Sequence, residues 1–165
     1  MEGGRRYFHY KTDAPILDLY SIQSARYAVR RDRREGVNLE IYYQPGHEFN
    51  MDTMMQSMKE TLAYCTANFS AFQFHQLRII EFPGYGTFAE SFANTIPFSE
   101  AIGFITKVSK KPEAVDLPFY VTAHETGLAH ASVTTGQVSV CVSDHREWDW
   151  PQRIPRFWRA AASPA

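Results

Sequence analysis

An α+β fold is what this chain of 165 residues predicts. Three observations carry that expectation. The first quarter alternates apolar and polar residues at a period of two. Residues 51–67 change to apolar spacings of three and four. A further strand pattern at 77–82 comes after that helix. The length is enough for one domain with a real core.

The elements follow in order. Leu17, Leu19 and Tyr20-Ser21-Ile22 predict one strand, and Arg26 to Arg30 another. Val37, Leu39, Ile41 and Tyr43 alternate with Asn38, Glu40 and Tyr42, as a half-buried strand requires. Gln44-Pro45-Gly46-His47 is a turn. Met51, Met54, Met55, Met58, Leu62 and Cys65 form one face of an amphipathic helix, with Asn50 or Asp52 to cap it. A methionine stripe can serve as an adaptable partner surface, but core is the favoured reading. Leu77 to Phe82 is a strand, ended by Pro83-Gly84-Tyr85-Gly86. Residues 87–106 read as irregular extended chain ending in a strand at Ile102 to Thr106. Lys107 to Pro118 reads as a polar loop, and Phe119 as the start of a helix. Near residue 126 the pattern fades, with only Val133, Val138, Val140 and Val142 suggesting a short strand.

Composition excludes several classes. The net charge of -1 gives no global attraction to nucleic acid or to an anionic membrane. The basic run Arg30-Arg31-Asp32-Arg33-Arg34 reads as a solvated loop between strands, with a phosphate or lipid contact as the alternative. The 2 cysteines, Cys65 and Cys141, form no C-x-x-C pair, so a cysteine-rich zinc module is excluded. MEGGRRYFHYK has no apolar core of a signal peptide, and no stretch is apolar enough for a membrane span.

The chemistry concentrates in YVTAHETGLAH, residues 120–130. Many zinc hydrolases carry H-E-x-x-H on a helix. Residues at i and i+4 lie about 400° apart, so both imidazoles leave one face and share a metal. The intervening glutamate acts as general base on the metal-bound water. In this chain His124 and Glu125 begin the motif, Leu128 stands where the second histidine belongs, and a histidine arrives only at His130. Removing any two of Thr126, Gly127 and Leu128 restores H-E-x-A-H, so the segment looks like a zinc helix carrying an insertion.

The longer context carries a resemblance. GRRYFHYKTDAPILDLYSIQSARYAV, VNLEIYYQPGHEFN, LRIIEFPGYGTFAESFANTIPFSEAIGFITK and DLPFYVTAHE resemble the membrane alanyl aminopeptidase family of zinc metallopeptidases. They look most like its bacterial branch fused behind a multi-span permease. The resemblance covers about residues 4–125. It implies the end of an N-terminal β domain in 1–45, the incomplete start of a thermolysin-like domain in 46–125, and a divergent tail in 126–165. It implies a zinc ion held by His124, with His130 as the displaced second ligand, and Glu125 as general base. It implies a substrate-binding Glu100 for the peptide's free amine, followed by Gly103. The family strand motif reads G-x-M-E-N-x-G, so Ser99 and Ala101 depart from it. Asp149, with Glu147 nearby, is the acidic residue the tail offers as a further ligand. A peptide is the implied substrate and a membrane permease the implied partner. Loss of the family pattern after Glu125 suggests a truncated or frame-shifted relative with an impaired site. Two alternatives stand beside that reading: an active enzyme with a bulged helix, and a non-catalytic binding or scaffold module.

Overall fold

The computed structural model describes residues 23–108 and 114–134, with His9, Lys11 and Lys111; residues 132–134 are described through their backbone alone. The elements are β1 (Ala28–Arg34), β2 (Val37–Tyr43), α1 (Met51–Asn68), β3 (Gln76–Phe82), β4 (Thr95–Ser99) and α2 (Leu117–Thr134). The strands form one mixed sheet in the order β1-β2-β3-β4. The fold is α+β, as expected. The strand expected at Leu17 to Ile22 lies outside the described residues.

β1 and β2 form an antiparallel hairpin that closes with Arg34 opposite Val37. The two residues between them, Glu35 and Gly36, have φ of 50° and 81°. A two-residue hairpin loop with both φ positive matches the right-handed twist of the strands. The basic run is therefore strand and hairpin, not the expected loop. Among the described residues β1 is the outermost strand, and nearly all of it is exposed. Its charges find partners on neighbouring elements: Arg30 with Asp52, Arg31 with Glu40, and Asp32 with Lys59. Exposed Asp32 is held below the usual carboxylate range, first by its hydrogen bond to Lys59.

β2 and β3 run parallel, so the chain must cross over between them. α1 makes that crossover. Its buried face is the methionine stripe: Met51, Met54, Met55, Met58, Leu62 and Cys65 are all within the core. Most of that face joins Val37, Leu39 and Ile41 of β2 and Leu77 and Ile79 of β3 in one cluster. The stripe is core, not a partner surface. Cys65 is a free thiol, pushed up to about 11 by burial.

Asn50 stands at the N-terminus of α1 but its side chain makes no capping bond. The amide donates instead to the carbonyls of Gly103 (2.6 Å) and Thr106 (2.8 Å). Those carbonyls, in a segment without regular structure, have greater need of a buried donor.

The strand expected at Ile102 to Thr106 is displaced. The structure has β4 at Thr95–Ser99, parallel to β3, followed by turns through residue 105. The apolar positions Ile96 and Phe98 carry the core contact, while Gly103 lies too close to Phe98 for a strand side chain. Residues 88–92 run back beside β4, with Ala89 bridging Phe98.

α2 begins earlier and ends later than its sequence pattern indicates. Asp116 accepts the Phe119 N–H through its side chain (3.0 Å), an N-terminal cap. The helix then runs through residue 126 to Thr134 without a break. Val133, expected in a strand, is thus in the helix. α2 packs on α1, where Ser57 donates to the Phe119 carbonyl (2.8 Å), and also touches β4. β2 pairs directly with β3, so segments on both sides of residue 45 share one sheet. Among the described residues, no helix is long and apolar enough to cross a membrane.

Leu62 is fully buried between α1 and the sheet. Leu62→Ala is expected to cost about 2–5 kcal/mol of unfolding free energy. Urea denaturation of the two chains measures that loss.

Candidate functional site

His124 and Glu125 occupy the middle of α2, as the motif requires. His124 is half-buried and its ring faces that of Tyr120 one turn earlier, with centroids 6.4 Å apart. Glu125 is buried. Ser91, from the segment beside β4, sits against both its side chain and its backbone. The Ser91 hydroxyl lies 2.7 Å from Glu125 Oε2 and 2.6 Å from the Glu125 carbonyl.

His130 is placed elsewhere. Because α2 is unbroken between the two histidines, their side chains leave the axis about 120° apart. No bulge brings them together. The buried His130 ring donates through Nε2 to the Ser70 carbonyl (2.8 Å) and packs against Phe72. Its role is to tie α2 to the end of α1. Gly127 lies between them with open space around its α-carbon, and the helix carries it at a cost of about 1 kcal/mol. The pair His124 and His130 therefore does not fit a shared zinc. Asp149 and Glu147, the acidic residues considered for that metal, lie outside the described residues.

Glu100 follows β4 directly, in a turn and not on a strand. Its Oε1 accepts the Gly84 N–H at 2.8 Å. Gly84 permits that approach, since a Cβ there would lie 3.0 Å from the same oxygen. Gly103 has a structural task. A Cβ on it would fall 2.6 Å from the ring of fully buried Phe98 and 3.3 Å from Met54.

Glu100 also belongs to a group that the sequence reading did not assemble. His47, Glu81 and Glu100 place one ligand atom each within 4.8 Å of one another, an arrangement that can hold a metal ion. His47 follows the Gln44–Gly46 turn after β2, Glu81 is near the end of β3, and Glu100 is just past β4. Parallel pairing of β2, β3 and β4 brings these ends together. His47 Nδ1 is 2.5 Å from Glu81 Oε1 and 3.8 Å from Glu100 Oε2. The Glu81 side chain is only 1% exposed, and its second oxygen accepts the Gln44 N–H at 2.5 Å. Its charge adds to burial, the larger effect, in raising Tyr27 above the usual phenol range.

A signal for this group existed in the sequence. Leu77, Ile79 and Glu81 share one face of a strand whose other members are core. A carboxylate in a core register requires a partner, because burying it alone is costly. His47 carried no such signal, since a histidine after a turn is commonplace.

Compared with protein-family models and with curated proteins, the chain finds no match.

Two substitutions test these placements. Ser91→Ala removes the hydroxyl that meets buried Glu125, with an expected loss of about 1–3 kcal/mol. Gly103→Ala forces Phe98 aside, with an expected loss of about 1–3 kcal/mol. Both are read from urea midpoints.

Proposed function

We propose that this chain is a zinc-metallopeptidase homologue of aminopeptidase type whose hydrolytic centre is incomplete. The described sheet and helices would be the opening part of a thermolysin-like domain. The resemblance over residues 4–125 supports the kinship. One observation carries the rest of the reading: α2 presents His124 and Glu125 together and turns His130 into the core. A zinc hydrolase needs three protein ligands and an open position for water. The motif segment supplies one imidazole, so the residues present do not close such a site. This chain is then not expected to hydrolyse amino-terminal residues from peptides. The resemblance supports Glu100 as the carboxylate that would pair with a substrate ammonium.

A second reading is a non-catalytic binding or scaffold module, with a membrane transporter as the partner that the resemblance implies. Phe49, Phe69 and Tyr85 are largely exposed, and each could be an anchor for another protein.

The test rebuilds the motif. Leu128→His places a histidine one turn after His124 on a half-buried position of α2. With His47→Ala in the same chain, to silence the other metal-ligand group, zinc affinity should rise at least tenfold over the His47→Ala parent. A further His124→Ala should abolish the gain. No gain from a chain that remains helical by circular dichroism would overturn the reading of α2 as a displaced zinc helix.

A further inference from the structure

We infer that His47, Glu81 and Glu100 form a binding site for a divalent first-row transition ion, separate from the His124 motif. The argument begins with charge. Two carboxylates converge on a single imidazole nitrogen, and one of them is almost fully buried. Nδ1 carries at most one proton and gives it to Glu81, the nearer partner. Glu100 Oε2, 3.8 Å from Nδ1, lies beyond hydrogen-bond reach of that proton. Among the described residues, His47 is the ion-pair partner of both carboxylates, and no lysine or arginine pairs with either. The group is thus short of positive charge, and at buried Glu81 water screens poorly.

Geometry supports the same conclusion. The donors come from three different parts of the chain, each anchored by its backbone. Glu81 is fixed by the Gln44 N–H and Glu100 by the Gly84 N–H, so both carboxylates are held at the group, and an ion enters by opening the His47–Glu81 hydrogen bond. Each keeps one oxygen for the centre of the group. Gly84 leaves the space in which Glu100 can lie. His47 and Glu100 are partly exposed, at 29% and 25%, which gives an ion and its waters a way in.

The donor set selects the ion. One imidazole nitrogen with two carboxylate oxygens suits zinc or manganese. Magnesium and calcium prefer oxygen alone and gain little from the histidine. On binding, the Nδ1 proton is lost to solvent, the metal takes the freed Nδ1 lone pair, and the ring carries its one proton on Nε2. This use of Glu100 competes with pairing to a substrate ammonium, so the site is not a restatement of the peptidase reading.

Calorimetric titration of the full 165-residue chain with zinc chloride tests the inference. About one equivalent should bind, and magnesium at the same concentration should not. His47→Ala and Glu100→Gln should each weaken zinc binding at least tenfold, while His124→Ala leaves it unchanged. Zinc should also raise the melting temperature of the wild-type chain, but not that of His47→Ala. An unchanged affinity in folded His47→Ala, or a failure of the wild type to bind zinc, would overturn the inference. So would loss of binding in His124→Ala alone.

Discussion

The whole arrangement hangs on the parallel pairing of β2 with β3 and on the helix that makes it possible. A parallel pair cannot be joined by a tight turn, so the chain needs a crossover long enough to return to the same end of the sheet. α1 is that crossover, and its buried methionines and Leu62 close the interior. Methionine suits this position because its unbranched side chain fills gaps between β-branched strand residues. Everything that follows depends on the outcome. The ends of β2, β3 and β4 meet at one side, and the polar residues there are drawn together whatever their separation in sequence.

Much of this was legible from residue order alone. Periods of two at Val37 to Tyr43 and of three and four at Met51 to Cys65 mark the strands and helix that supply most of the core. Both signals are strong because each element buries only one face. β4 was harder. Its burial pattern is nearly continuous, with Ile96, Pro97, Phe98 and Ser99 all enclosed, so no alternation distinguishes it from irregular chain. β1 was only half seen, in the strand expected at Arg26 to Arg30, and its remainder was missed for the opposite reason. As an outer strand it is polar along most of its length and resembles a loop in composition.

The motif residues divide in a similar way. His124 and Glu125 lie on a helix as their spacing indicates, because the local sequence from Leu117 onward favours one and Asp116 starts it. The fate of His130 is decided by the tertiary structure. It lies against Ser70 and Phe72, residues some sixty positions away, and no local pattern announces that contact. Glu81 and His47 pose the same difficulty, since their juxtaposition exists only once two strands have paired in register. A carboxylate on the core face of β3 hints that a partner exists without saying which.

The segment beside β4 has a bearing on how this sheet can meet other chains. Glu90 donates to the Pro97 carbonyl, Phe92 to that of Thr95, and Ser99 to that of Phe88. These bonds occupy the outward backbone groups along β4. At the opposite margin, β1 presents arginines and an aspartate. An extended peptide that approached as a fifth strand would meet a row of charges on one side and an already satisfied backbone on the other. To lie along β4 it would first have to displace residues 88–92. The same segment carries Ser91, which holds Glu125. Strand addition at this edge is thereby linked to the setting of buried Glu125 on α2.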